Sequence, residues 1–277
     1  MDENLGEELV NGLHVRTKKG TTMDLHLSRL RAVITGGTSG IGFATAEALA
    51  AEGASVGIIS RSAGHVAEAV ERLQGLHPAA TIVGVAGDVA DEDSIGAAVR
   101  TLGDQLGGID VIVNSAGIAG ELGGAPDSIP GAEFLEVQRV NVVGSYLAVK
   151  AALPYLKEGD TPSILLIGSD SGFVTAPGML AYNASKGAIV QLTRALAVEL
   201  HGPFGIRVNS VCPSIVDTPL ARDGMGVESF ADVDYPVNAP EDIAWLVLSL
   251  ISPRSRSVNG ASLLADFGYH AQSSFPA

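Results

Sequence analysis

The run Tyr182-Asn183-Ala184-Ser185-Lys186 sets a phenol and an ammonium four residues apart at the start of a segment with helical periodicity. Residues i and i+4 share one face of a helix, so both side chains can reach one site. A free phenol, with a pKa of about 10, is a poor base at neutral pH, and a nearby ammonium stabilises the phenolate by about 1.4 kcal/mol per pKa unit. The spacing therefore predicts a phenol of lowered pKa that exchanges a proton with a bound reactant. Ile189, Leu192, Leu196 and Leu200 form the opposite stripe and would face a core. Such pairs are common on helix surfaces. What singles this one out is its company: Ser169, thirteen residues upstream at the end of an apolar run, and a glycine loop near the beginning of the chain.

Positioning those groups requires a scaffold, and the alternation of short β-branched runs with longer helical patterns supplies it. Strand-like runs lie at 31–35, 55–59, 81–86, 110–113, 163–168, 206–211 and 261–265; helical patterns lie near 40–52, 64–75, 91–106, 131–157, 182–201 and 240–251. Strands that read as continuous apolar runs are buried on both faces, as in a parallel sheet covered by helices on each side. The fold class expected is α/β: a doubly wound, Rossmann-type parallel sheet of about seven strands. Residues 1–25 read as an N-terminal extension and 26–277 as a single catalytic domain, with 219–236 as a substrate lid.

Composition narrows the function classes. The chain of 277 residues is 46% hydrophobic and 17% charged, yet no window reaches the roughly 18 uncharged apolar residues of a membrane span. The early acids of the N-terminus fit neither a secretion signal nor a transit peptide, which points to the cytoplasm. Cys212 is the only cysteine, so intrachain disulfides and Cys-based zinc sites are excluded, and no metal is expected. A formal charge of -14 opposes binding to nucleic acid or anionic membranes. Any phosphate must be held locally, by backbone amides or a placed arginine.

The glycine loop does this. "AVITGGTSGIGFATAEALAAEG" passes from the first strand through glycines into a helix, where tight turns and free helix-start amides suit a pyrophosphate. Its spacing, T-G-x-x-x-G-x-G at Thr35, Gly36, Gly40 and Gly42, resembles the short-chain dehydrogenase/reductase family. So do "GDV" with Asp88, "NSAG" at 114–117, Asn141, Ser169, "YNASK", "RVNSVCPSIVDTPL" and "PEDIA", in the family's order over roughly residues 28–270. The resemblance implies a catalytic tetrad of Asn141, Ser169, Tyr182 and Lys186. In it Ser169 orients the substrate oxygen, Tyr182 exchanges the proton with an alkoxide or alcohol, Lys186 binds the nicotinamide ribose and tunes Tyr182, and Asn141 holds a water on the proton path. For the cofactor it implies Gly36, Thr38, Ser39, Gly40, Ile41 and Gly42 at the pyrophosphate loop, and Asp88 and Val89 at the adenine. Asn114, Ala116 and Gly117 would lie beside the ribose, and Pro213, Ile215 and Thr218 at the nicotinamide; Ser214 stands where the family usually has glycine. Asp88 taken alone reads as a helix cap.

An NAD-selective dinucleotide fold places a carboxylate about 20 residues beyond the glycines, whereas an arginine there accepts a 2'-phosphate. This chain has Ser60 and Arg61, which favours NADP(H) over NAD(H). Many NADP-preferring relatives also carry a basic residue just before the second loop glycine, where this chain has Ser39. The pocket walls would come from 118–130, 170–181 and 219–236, with Phe173, Met179, Leu220, Met225 and Phe230 shaping them, and the acids Asp223, Glu228, Asp232 and Asp234 disfavour anionic substrates. A neutral, moderately apolar ketone or secondary alcohol fits best, and an acyl-thioester ketone remains open. Two other classes share the fold: sugar-nucleotide epimerases, which usually have a larger C-terminal part than the 91 residues after Lys186, and redox-silent regulators, which would have a broken tetrad. The resemblance also implies a homotetramer, or homodimer, built on the helices near 131–157 and 182–201, with Ala148, Ala151, Ala152, Ala195 and Ala197 permitting close contact.

Overall fold

The computed structural model describes residues 24–272, together with a short antiparallel ladder between Leu9–Val10 and Leu13–His14. The expected extension at 1–25 lies almost wholly outside the described residues, as does the terminal 273–277.

Seven strands form one all-parallel sheet: β1 (Arg31–Thr35), β2 (Ser55–Ser60), β3 (Ile82–Ala86), β4 (Val111–Asn114), β5 (Ser163–Ile167), β6 (Arg207–Pro213) and β7 (Ser262–Ala265), in the order 3-2-1-4-5-6-7. The chain runs outward from β1 to β3 and then returns to place β4 on the other side of β1. That reversal opens a crevice beyond the carboxyl ends of β1 and β4, where ligands bind in open α/β sheets.

Alternation along each strand divides the interior into two cores. Ala32, Ile34, Val111, Val113, Leu165 and Ile167 face one side and pack with α1 (Gly40–Ala51), α2 (Ala63–Leu76) and α8 (Pro240–Ile251). Val33, Ile112, Ile164 and Leu166 face the other and pack with α3 (Glu92–Leu106), α5 (Gly144–Leu156) and α6 (Leu180–Phe204). Both faces are covered, which explains why these strands read as unbroken apolar runs.

Three local features differ from the sequence expectation. The single helix expected over 131–157 is α4 (Gly131–Gln138), a π-helical turn (Arg139–Val143) containing Asn141, and α5. The segment expected as a lid begins with α7 (Pro219–Met225), whose first turn is capped by the Thr218 side chain. Ala148, Ala152 and Ala197 are buried within this chain's own core, so these three cannot pack against a neighbouring subunit, whereas Ala151 is half-buried and Ala195 is exposed; helical spacing marked the small residues without telling which side of the helix each covers. No helix among the described residues is long and apolar enough to cross a membrane.

The sharpest packing constraint against backbone among the glycines is at Gly42. A Cβ there would sit 2.2 Å from the Gly36 carbonyl oxygen. Gly42→Ala is therefore expected to destabilise the fold by about 1–3 kcal/mol in urea unfolding. Gly75→Ala, in α2, meets open space and is expected to stabilise by about 0.5–1 kcal/mol. Equal midpoints for the two variants would contradict this packing.

Candidate active site

The glycine loop forms the floor of the crevice. Gly36 has φ of 68°, its amide donates to the Ile59 carbonyl at 2.8 Å, and a Cβ on it would lie 2.8 Å from the Ala116 backbone. Only glycine lets the β1 turn pass this close to the β4 turn. Ser39 caps α1 in extended conformation but makes no side-chain cap bond, so the first-turn amides of α1 are left for a ligand.

The reactive groups stand at the carboxyl ends of the central strands. Tyr182 and Lys186 lie in the first turns of α6, with the Lys186 Nζ 5.4 Å from the centroid of the Tyr182 ring. Lys186 is only 8% exposed and its Nζ donates to the Ile167 carbonyl at 2.9 Å, which anchors it to the end of β5. Ser169 begins the short 3-10 turn after β5; its Oγ donates to Asp170 Oδ1 at 2.9 Å and accepts from the Ser171 amide at 3.1 Å.

Asn141 stands behind these groups. Its side chain brackets Ile118, accepting from the Ile118 amide at 2.8 Å and donating to its carbonyl at 2.9 Å, and it also donates to Ser185 Oγ at 3.0 Å. Ser185 Oγ in turn donates to the Tyr182 carbonyl at 2.7 Å. Asn141 thus holds the turn that carries the tyrosine, through a serine within the "YNASK" run to which sequence reasoning gave no role.

A cleft of about 870 Å³ joins these parts. From the loop it is lined by Gly36, Thr38, Ser39, Gly40 and Ile41, and from the ends of β2 and β3 by Ser60, Arg61, Asp88 and Val89. Ala116 and Gly117 follow β4, and Pro213, Ile215 and Thr218 follow β6, with Ser169, Tyr182 and Lys186 between them. Gly42, Asn114 and Asn141 are not on the wall. Gly42 is a packing residue, while Asn114 is buried, accepting from Thr35 Oγ1 at 3.4 Å and donating to the Ser145 carbonyl at 3.2 Å. Ser214, which departs from the family pattern, is held by Asn238 Nδ2 at 3.3 Å. The cap of α3 is Asp91, leaving Asp88 on the cleft.

Met179, Leu220 and Met225 line the cleft as expected, whereas Phe173 is exposed and Phe230 is buried away from it. The loops at 118–130 and 170–181 are joined by the Gly123 amide donating to the Gly178 carbonyl at 2.8 Å. Asp223, Glu228, Asp232 and Asp234 are exposed. Asp170 and Tyr235 reach the wall from the expected segments 170–181 and 219–236, although neither was singled out; His65 and Tyr269 lie outside those segments and arrive there through tertiary packing.

Electrostatics correct the first expectation about the pair. Burial pushes the Tyr182 phenol up to about 12; the Ser169 hydroxyl opposes this and Asp170 and Cys212 reinforce it. Burial likewise lowers Lys186 to about 8, with Cys212 opposing. Removing the phenolate from water outweighs the ammonium, whose Nζ lies over the ring and is spent on a backbone carbonyl. At neutral pH the phenol therefore holds its proton.

Comparison with known proteins agrees with this architecture. A family model described as enoyl-(acyl carrier protein) reductase matches residues 36–270. The chain is 35% identical to 2-(R)-hydroxypropyl-CoM dehydrogenase of Xanthobacter autotrophicus over 247 residues, covering 87% of this chain and 98% of that protein. It is 33% identical to the NADP-dependent (R)-specific alcohol dehydrogenase of Lentilactobacillus kefiri over 248 residues, covering 87% and 96%. Among solved structures, levodione reductase superposes with a TM-score of 0.82 at 30% identity, covering 89% of this chain and 99% of that one.

The Lys186 shift has a measurable sign. Between about pH 8 and the ordinary lysine value of 10.5 the unfolded chain binds more protons than the native one at this site, so its contribution to stability is full above that window and is lost as pH falls toward 8. Lys186→Met removes the buried charge. Relative to wild type it is expected to be most stabilised near neutral pH in urea unfolding, with the difference shrinking as pH rises through the window. A difference independent of pH would contradict the shift.

Proposed function

The chain belongs to the short-chain dehydrogenase/reductase family, and from that premise we propose that it interconverts a ketone and a secondary alcohol with NADP(H), Tyr182 serving as the general acid and base. The observation that carries this reading is the joining of the glycine loop to Ser169, Tyr182 and Lys186 by one continuous cleft.

The residues fit a dinucleotide. The uncapped start of α1 and the loop around Gly36 and Gly40 would hold the pyrophosphate, Asp88 and Val89 the adenine, and Ala116 and Gly117 the adjoining ribose. Pro213, Ile215 and Thr218 would flank the nicotinamide, which when bound supplies or accepts the hydride. Asn114, behind the wall, supports the β4 turn rather than touching the cofactor. Ser60 and Arg61 at the end of β2 support the NADP(H) preference: β2 does not end in a carboxylate that would select the 2'-hydroxyl, and His65 lines the same cleft. The name of the L. kefiri relative specifies NADP for that protein.

The chain's own groups carry the proton. In the reducing direction Tyr182 Oη gives its proton to the oxygen that was the carbonyl, and the pKa direction keeps that proton in place at neutral pH. In the oxidising direction the tyrosine must first lose it, so that direction calls for higher pH. Ser169 orients the substrate oxygen, Lys186 would bind the ribose hydroxyls, and Asn141 fixes the turn of α6 through Ser185. The fold also leaves Leu135 on α4, Val143 on the π-helical turn, Tyr146 on α5, Val198 on α6 (79% exposed) and Trp245 on α8 (55% exposed) facing outward. These side chains, rather than the buried alanines, support assembly into a homotetramer or homodimer.

Tyr182→Phe should fold and bind NADPH with wild-type affinity but lose at least about a hundredfold in kcat for ketone reduction. Retention of turnover would remove Tyr182 from its role. Ser60→Asp combined with Arg61→Ala should reverse the NADPH to NADH ratio of kcat/KM, and an unchanged ratio would refute the basis of the preference.

A further inference from the structure

Asp170 is a carboxylate that the chemistry above leaves without a task. It directly follows Ser169, opens the 3-10 turn Asp170–Gly172 and lines the same cleft. Its Oδ1 accepts a hydrogen bond from the Ser169 hydroxyl at 2.9 Å. It is half-buried, and among the described residues no lysine, arginine or histidine comes within ion-pair distance of it. Burial raises its pKa against the bonds from Ser169 and Ser171, and the nearby charge of Asp266 raises it further.

A carboxylate withdrawn from water without a cation carries a desolvation cost that a ligand donor can offset. The other charged groups on the wall are occupied or belong to the dinucleotide end: Lys186 is bonded to the Ile167 carbonyl, and Arg61 and Asp88 stand at the ends of β2 and β3. Much of the remaining wall is apolar or phenolic, with Leu122, Met179, Leu220, Met225 and Tyr235. Asp170 is thus a polar fixed point for a substrate, and it sits a single hydrogen bond from the serine that orients the reacting oxygen.

We infer that Asp170 recognises a hydrogen-bond donor borne by the substrate one or two carbons from the reacting carbon. The preferred substrates are then hydroxy ketones or amino ketones, with the matching diols or amino alcohols, rather than plain ketones or ketones bearing carboxylate or phosphate. This rests on the ketone and alcohol reading and deepens it by naming the substrate class. The distance argument sets the position of the donor: a group reaching Asp170 while the carbonyl oxygen lies at Ser169 has only a short span to cover.

The test is steady-state reduction by NADPH of a plain aliphatic ketone, its α-hydroxy analogue and its α-ammonium analogue of equal chain length, with wild type, Asp170→Ala and Asp170→Asn. Wild type should favour at least one donor-bearing ketone by about tenfold or more in kcat/KM, as expected for a hydrogen bond to a charged group, and Asp170→Ala should bring that ratio close to one. Asp170→Asn keeps an acceptor but not the charge, so it should preserve a hydroxyl preference and abolish an ammonium preference. A wild-type enzyme that favours the plain ketone, or a ratio unchanged in Asp170→Ala, overturns the inference while leaving the reaction class intact. Absence of turnover with every ketone and either nicotinamide cofactor would sink the ketone and alcohol reading itself. Should Asp170→Ala fail to fold, the wild-type ratio and the near-isosteric Asp170→Asn decide the matter.

Discussion

A lysine ammonium placed out of water beside a phenol is the constraint on which the arrangement depends. Burial disfavours charge on either group, so the pair at neutral pH keeps the phenol neutral and leaves the ammonium easily discharged. The Ile167 carbonyl, at the last residue of β5, is the acceptor that makes such a lysine tolerable. A side chain at Gly168 would lie 2.5 Å from the Cys212 sulfur, so the turn must stay bare for β5 and β6 to stand side by side at the site.

The rest of the fold delivers groups to that pair. The sheet reversal between β1 and β4 opens the crevice, and the glycine turn and the β4 turn meet at backbone contact, which leaves the start of α1 facing into it. On the far side the π-helical turn between α4 and α5 aims Asn141 inward, and through Ser185 it fixes the backbone of Tyr182. Stability and chemistry share these parts: the two packed cores hold the strand ends in register, and the strand ends carry the reactive side chains.

Much of this was legible in the sequence where the signal is local. Tyr182 and Lys186 are separated by one helical turn, and Gly36, Gly40 and Gly42 lie within one strand-to-helix turn, so spacing together with their order along the chain revealed them. The seven strands announced themselves by their apolar runs because helices cover both faces of the sheet. Properties set by tertiary contact were hidden: the sign of the Tyr182 shift depends on how deeply it is buried, and the inward facing of Ala148, Ala152 and Ala197 depends on which side of each helix meets the sheet. Asp170 fell within an expected wall segment beside Ser169, whereas the arrival of Tyr269 at the cleft has no sequence signature, since no periodicity relates it to the residues it joins. The burial of Asn114 and Gly42 behind the cleft wall was likewise hidden, because a motif fixes position along the chain but not depth.

Burial governs the protonation state of Tyr182, the proposed proton donor. The most direct measurement is the near-ultraviolet phenolate difference spectrum of wild type against Tyr182→Phe as pH is raised from neutrality. Tyr182 should make no contribution until above the ordinary tyrosine value of 10, with its midpoint at about 12. A phenolate band from that residue already present near neutral pH would contradict it.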